Sequence, residues 1–176
     1  QMRKRSSAQI FGGKSHDPAI AWAEKLKEMA PMPTGKVFFA NSGSEANDSQ
    51  IKLMWYAANA RGQTGRKKII ARNKAYHGVT LASASLTGLD AFHKSFDLPF
   101  DFTVRVECPH YYRGARDGES EEQYSARLAS DLEATILREG PDTICAMFVE
   151  AVMGAGGAMV PPRGYFEAIS AVLDKY

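Results

Sequence analysis

The stretch ICAMFV at residues 144–149 does most to decide the fold, because it is almost entirely apolar. A strand that is apolar at every position, and not only at alternate ones, is typical of a parallel sheet covered by helices on both faces. A capping-box pattern at residues 120–123 predicts the start of a helix that ends before Gly140 and Pro141. A second helical pattern follows over residues 163–175. The strand therefore lies between two helices.

The same alternation of strand and helix patterns runs through the rest of the chain. Residues 36–40, 68–71 and 102–106 carry the apolar runs expected of strands, while residues 17–30 and 44–61 carry helical spacing. Strands that alternate with helices predict an α/β fold with a mainly parallel sheet flanked by helices.

Length, charge and cysteine content limit the possible classes of protein. A chain of 176 residues can form one domain with a hydrophobic core. Its net charge of +2 gives no reason to expect nucleic acid or a membrane as a partner. The two cysteines, Cys108 and Cys145, are far apart, and the pair Cys108 and His110 is too isolated to be a zinc site, so we expect no metal site. A reducing, cytoplasmic setting fits this content.

Three polar or glycine-rich loops each follow a predicted strand, at residues 41–44, 73–78 and 150–157. In a parallel sheet the carboxyl ends of the strands share one edge, and ligands bind at that edge. We therefore expect the three loops to form one composite site.

The first loop has the composition of a phosphate cradle. Ser42, Gly43 and Ser44 open a predicted helix, whose first N–H groups and dipole attract anions. The glycine lets the backbone approach an anion closely, and the two hydroxyls can cap the helix or donate to phosphate oxygens. A plain helix cap is the alternative interpretation of this motif.

The other two loops suggest what the phosphate belongs to. Tyr76 could stack on a planar ring, with His77 beside it, and Glu150 places a carboxylate at the end of an apolar strand. A phosphate, a flat ring and a nearby carboxylate describe a phosphorylated heteroaromatic cofactor, and both pyridoxal 5'-phosphate and a nucleotide fit. Each residue also has a simpler role: packing for Tyr76, a backbone hydrogen bond for His77 and a solvated edge position for Glu150.

Three ordered motifs make the chain resemble a known family over nearly its whole length. They are NSGSEAN at residues 41–47, AYHG at residues 75–78, and VE at residues 149–150 followed by GAGG at residues 154–157 and PPRGY at residues 161–165. Together they resemble class III aminotransferases, which are pyridoxal-phosphate enzymes of fold type I. FGGKSHD at residues 11–17 is most similar to the ω-transaminase, or amine–pyruvate, branch.

The resemblance implies a function and a role for each site residue. Ser42, Gly43 and Ser44 would bind the cofactor phosphate, Tyr76 would stack on the pyridine ring beside His77, and Glu150 would lie near the carboxylate that pairs with the ring nitrogen. The implied reaction is amino transfer between an amine or amino acid and a keto acid such as pyruvate. The implied assembly is a homodimer with its active sites at the interface.

The resemblance also implies what this chain lacks. The Schiff-base lysine and the aspartate that pairs with the pyridinium belong downstream of residue 176, so no catalytic residue is assigned here. We expect residues 1–16 to be an incoming segment and residues 17–176 to be part of the cofactor-binding large domain. The segment alone is expected to lack transaminase activity.

Ala155 bears on the choice of substrate. Ornithine- and aminobutyrate-type relatives carry a glutamate at this point, so alanine favours amines or uncharged substrate ends. Two other functions stay open at this level. One is an aminomutase of the same family, and the other is a non-catalytic module that binds phosphate or a nucleotide.

Overall fold

The first described element is a helix of the N-terminal part of the chain. The computed structural model describes residues 15–176 and divides the chain into two compact units, residues 1–40 and 41–176. In the first unit, α1 spans Asp17–Met29, and the Nδ1 atom of His16 caps it by accepting from the N–H of Ala19 at 3.1 Å. Most of the expected incoming segment, including the glycine pair of the residue 11–17 motif, lies outside the described residues.

The strand predicted at residues 36–40 is wrong. No strand is assigned there, and the sheet formed by the described residues has three strands, none of which pairs with this segment. An apolar run becomes a strand only when a neighbouring backbone pairs with it. The first loop of the candidate site therefore does not follow a strand.

Three parallel strands form the sheet of the second unit. β1 spans Lys68–Arg72, β2 spans Thr103–Val106 and β3 spans Ile144–Phe148. Their order is β2-β1-β3, and both pairings are parallel. The central strand β1 pairs through Ile69 with Thr103 on one side and with Ala146 on the other. Polar loops thus leave neighbouring strands at the same edge of the sheet.

Helices cover both faces of this sheet. They are α2 (Gly43–Ala60), α3 (Leu81–Leu86), α4 (Tyr111–Gly114), α5 (Glu121–Glu139) and α6 (Tyr165–Lys175). The predicted capping box at the start of α5 is present: the hydroxyl of Ser120 accepts from the N–H of Gln123, and the side chain of Gln123 accepts from the N–H of Ser120. Among the helices described over residues 15–176, none combines the length and the apolar character needed to cross a membrane.

Successive residues of β1 face opposite layers, as the pleat requires. Ile69 and Ala71 pack with Ile51 of α2 and Leu86 at the end of α3. Ile70 packs in a second cluster with side chains of α5 and α6. A strand that is buried on both faces explains why these sequences are apolar throughout, and the predicted α/β fold with a parallel sheet between helices is confirmed.

Candidate functional site

The loops after the three strands meet over a small apolar cluster. Ala75 follows β1, Cys108 follows β2, and Met153 and Met159 follow β3, and these four buried side chains pack together. The cluster fixes the loop backbones at the carboxyl edge of the sheet. We call residues 42–44 the cradle, residues 75–80 the tyrosine loop and residues 150–157 the glycine loop.

The cradle forms the start of α2. Ser42 is the N-cap, and its Oγ accepts from the N–H of Glu45 at 3.1 Å. The N–H groups of Gly43 and Ser44 have no acceptor among the residues that the structure describes. A Cβ atom added to Gly43 would meet no atom within 4 Å. The cradle therefore presents two unpaired donors and open space at the positive end of a helix dipole.

The first turns of α2 hold the tyrosine loop. The Oγ of Ser44 accepts from the N–H of Val79 at 3.0 Å, so this hydroxyl does not cap the helix. The side-chain amide of Asn47 donates to the carbonyl of His77 at 2.6 Å. These contacts place the tyrosine loop against the cradle although no strand leads into the cradle.

Glu150 joins the tyrosine loop to the glycine loop. Its Oε1 accepts from the N–H of Tyr76 at 2.9 Å, and its Oε2 accepts from the N–H of Gly154 at 3.0 Å. The carbonyl of Glu150 accepts from Nη2 of the buried Arg72 at 2.6 Å. The partners of this carboxylate are thus two main-chain amides, and the three loops form one connected structure.

The second half of the glycine loop forms a tight turn, which the backbone pairing of Met153 with Met159 closes. The N–H groups of Met153 and Met159 donate to each other's carbonyls at 3.0 and 2.9 Å. A Cβ atom at Gly156 would lie 2.2 Å from the carbonyl oxygen of Lys74, so only glycine fits at this contact. Ala155 is exposed beside it. The turn therefore packs directly on the backbone that leads to Tyr76.

Tyr76 and His77 differ sharply in their surroundings. Tyr76 is 37% exposed, and its ring meets that of Phe92 edge-on at a centroid distance of 5.7 Å. His77 is only 7% exposed, its N–H donates to Oγ1 of Thr87 at 2.9 Å, and its Nε2 is buried with no hydrogen-bond partner in the described part of the chain. Burial lowers the pKa of His77 to about 4, because a charged imidazolium loses its hydration there. The imidazole is therefore neutral at pH 7.

This low pKa makes the stability of the fold depend on pH. Because the unfolded chain binds a proton near pH 6.5 and the folded chain does so only near pH 4, the stability is complete above pH 6.5 and falls as the pH drops toward 4. We expect a loss of about 2 kcal/mol in the free energy of unfolding between pH 7 and pH 5. Urea unfolding across this range should show a smaller loss in His77→Asn. Equal pH dependence in the two proteins would contradict the assignment.

Two arginines, the buried Arg72 and the half-buried Arg105, support the site and were not predicted from the sequence. Arg72 ends β1, and the carbon of its guanidinium lies 5.8 Å from the ring centroid of Tyr165. Arg105 of β2 donates to the carbonyls of Ser85, Leu86 and Thr87 at 2.5–2.6 Å. Burial lowers the pKa of Arg105 to about 10. The sequence feature that could have identified Arg72 is a cationic residue at the end of an apolar strand.

A cavity of about 380 Å³ lies beside β2, and none of the six predicted cofactor-binding residues lines it. Its lining includes Lys74, Cys108, His110 and Arg113. Among residues 15–176, no group of three or more His, Cys, Asp or Glu side chains is arranged to hold a metal ion.

Comparison with known proteins identifies the family. A family model for class III aminotransferases matches residues 1–176. The chain therefore belongs to the class III aminotransferase family, as the motifs predicted. Members of this family are pyridoxal-phosphate-dependent enzymes.

Individual relatives agree with this assignment. The chain is 51% identical over 177 residues to the mitochondrial γ-aminobutyrate transaminase 1 of Oryza sativa subsp. indica, covering all of this chain and 34% of that protein. A structure of a transaminase with L-ala matches with a TM-score of 0.96 and 56% identity, over 100% of this chain and 42% of that one. An ω-transaminase from Pseudomonas jessenii in complex with PMP matches at 0.93 and 56% identity, over 96% and 37% of the two chains.

These relatives are much longer than this chain, which limits the properties of theirs that can be assigned to it. The chain spans about a third of the curated relatives it matches. Neither an aminomutase nor a non-catalytic binding module is favoured, since the relatives are transaminases.

Proposed function

We propose that this protein binds pyridoxal 5'-phosphate and transfers an amino group between an amine or amino acid and a keto acid such as pyruvate. The observation that carries the proposal is the docking of the tyrosine loop onto the cradle. The loop that carries the partly exposed Tyr76 is hydrogen-bonded to the helix whose first N–H groups are unpaired, which supports a site that binds both a phosphate and a ring. The PMP complex of the Pseudomonas jessenii ω-transaminase supports the choice of cofactor.

The residues present fit this cofactor. A phosphate needs donors and positive potential, which the N–H groups of Gly43 and Ser44 supply at the start of α2. A pyridine ring needs a flat apolar face, and Tyr76 exposes 37% of its surface. The buried Nε2 of His77 lacks a partner within the described residues, which leaves one polar atom for the ring or its substituents.

Each of the candidate site residues has its own role in this proposal. Ser42, Gly43 and Ser44 bind the phosphate, Tyr76 orients the ring by stacking, and the neutral His77 contacts it without adding charge. Glu150 holds the tyrosine loop and the glycine loop together beside the ring nitrogen and its carboxylate partner. The bound cofactor supplies the electron sink that amino transfer requires. The covalent lysine and the ring-pairing aspartate are assigned to a part of the full-length protein beyond this chain.

The working assembly is proposed to be a homodimer. Leu53 and Tyr56 of α2 expose 62% and 73% of their surfaces, and they lie three residues apart on one helix. Large exposed apolar side chains at helical spacing are typical of a face that another molecule covers. The division into an incoming segment and a partial large domain, from residue 17 onward, also belongs to this proposal.

A cytoplasmic location remains a prediction. Cys108 and Cys145 are both free thiols, as a reducing compartment would allow. The curated plant relatives carry the words mitochondrial or chloroplastic in their names.

The identity of the amino donor rests on two opposing considerations. Alanine stands at position 155, where ornithine- and aminobutyrate-type enzymes are expected to carry a glutamate, and this favours uncharged amines. The names of the rice relatives favour γ-aminobutyrate. We propose an uncharged amine or γ-aminobutyrate as donor, and we expect ornithine to be the poorest of these three donors.

Steady-state rates with pyruvate as acceptor test this proposal. The protein at its full natural length, loaded with pyridoxal phosphate, should form alanine from an aryl-alkyl amine or γ-aminobutyrate faster than from ornithine. A clear preference for ornithine would contradict the role of Ala155. Turnover without any keto acid would indicate an aminomutase, and tight binding of ATP with none of pyridoxal phosphate would indicate a nucleotide-binding module.

A further inference from the structure

We propose that Asn47 and Asp48 of α2 are positioning residues that couple the cradle to the tyrosine loop. Neither side chain forms part of the cradle, so each would act on the cofactor only through the loop that carries Tyr76. This inference rests on the proposed function. It explains what holds the cradle, which binds the phosphate, and the tyrosine loop, which binds the ring, in a fixed position relative to each other.

The positions of these residues on α2 explain how they reach the loop. Ser44, Asn47 and Asp48 are three and four residues apart, so they share one face of the helix. Ser44 accepts from the N–H of Val79, and Asn47 donates to the carbonyl of His77. One helical face therefore binds the loop backbone on both sides of Gly78.

Asp48 extends this contact into α3. Its Oδ1 accepts from the hydroxyl of Thr80 at 2.9 Å and from the N–H of Ser83 at 3.0 Å. Thr80 is the N-cap of α3 but makes no capping bond to that helix. A carboxylate from α2 thus satisfies a free N–H at the start of α3. The end of the tyrosine loop is thereby fixed to the helix that begins with the cradle.

The cradle and the tyrosine loop are fixed by different contacts, so losing one set of contacts should affect only the part of the ligand bound there. The cradle donors belong to the backbone of Gly43 and Ser44, and their geometry depends on the cap at Ser42. The direction of the Tyr76 ring depends on the loop. Loss of the Asn47 or Asp48 side chain should therefore weaken the binding of pyridoxal phosphate and leave the binding of inorganic phosphate unchanged. A purely structural role would weaken both ligands or neither.

Titration of the apo form of the protein at its full natural length tests this. Asp48→Ala should raise the Kd for pyridoxal phosphate about ten-fold, which corresponds to about 1.4 kcal/mol, and should reduce the circular dichroism of the bound ring. Its Kd for inorganic phosphate should stay within about two-fold, as expected for a cradle made of backbone donors. Asp48→Asn keeps an acceptor oxygen and should restore pyridoxal phosphate binding.

Two further variants complete the experiment. Asn47→Leu is similar in size and removes the donor to His77 without adding a charge, so it gives the same readout if Asp48→Ala fails to fold. Gln50→Ala, an exposed change on the same helix, should behave as the unmodified protein does. Equally weakened binding of both ligands in Asp48→Ala and Asn47→Leu, or unchanged binding of both, would overturn the positioning role. An unmodified protein that binds no pyridoxal phosphate would overturn the proposed function itself.

Discussion

Gly78→Ala is expected to lower the free energy of unfolding by about 3–5 kcal/mol and to abolish tight pyridoxal phosphate binding. Gly78 has a φ of +131°, which side-chain-bearing residues rarely adopt. An added Cβ atom would lie 2.5 Å from the hydroxyl oxygens of Ser44 and Ser83 and 3.0 Å from the Cα of Ser44. Relief of these clashes requires the tyrosine loop to move away from the cradle.

Gly65→Ala is the matched control for this change. Gly65 lies in a turn, and an added Cβ atom there would meet nothing within 4 Å. Denaturant unfolding of both variants, together with titration by pyridoxal phosphate, separates the clash from the general effect of replacing a glycine. Similar stabilities for the two variants would show that the loop accommodates a methyl group, contrary to this expectation.

Arg105→Ala is expected to lower the free energy of unfolding by about 3–4 kcal/mol. Its guanidinium accounts for the hydrogen bonds of three consecutive carbonyls, those of Ser85, Leu86 and Thr87, at the end of α3. Without it these acceptors remain partly buried and unpaired. Because Thr87 accepts from the N–H of His77, the tyrosine loop should also lose one of its several attachments.

Two comparisons isolate the contribution of the guanidinium. Arg105→Lys keeps one charged donor and should recover part of the lost stability, since a lysine cannot reach three carbonyls in a fork. Arg61→Ala removes an exposed arginine and should change the stability by no more than about 0.5 kcal/mol. Thermal unfolding of the three proteins provides the ranking. An Arg105→Ala protein as stable as Arg61→Ala would contradict the proposed support of α3.

The order of strands and helices could be predicted because it depends on local patterns. The apolar runs of β1 and β3 and the capping box of α5 each lie within a few residues of sequence. The apolar run at residues 36–40 has the same appearance, yet no described strand pairs with it. Pairing is a property of two segments, so one segment alone could not reveal its absence.

The contacts that assemble the site were beyond sequence reasoning for the same reason. Ser44 and Val79 are 35 positions apart, and Arg72 and Glu150 are 78 apart. The motifs identified the candidate residues, and the capping role of Ser42 was anticipated. That the Glu150 carboxylate binds the amides of Tyr76 and Gly154 depends on how the two loops pack, which no local pattern contains.

The attachment of Glu150 to main-chain amides has a consequence for the evolution of substrate choice. Every residue except proline offers the same N–H group, so this link does not depend on which side chains surround it. Ala155, next to the bonded amide of Gly154, can therefore change without breaking the link between the loops. If Ala155 selects the donor as proposed, a lineage of such enzymes could acquire new amino donors through single substitutions at this position while the link between the two loops stayed intact.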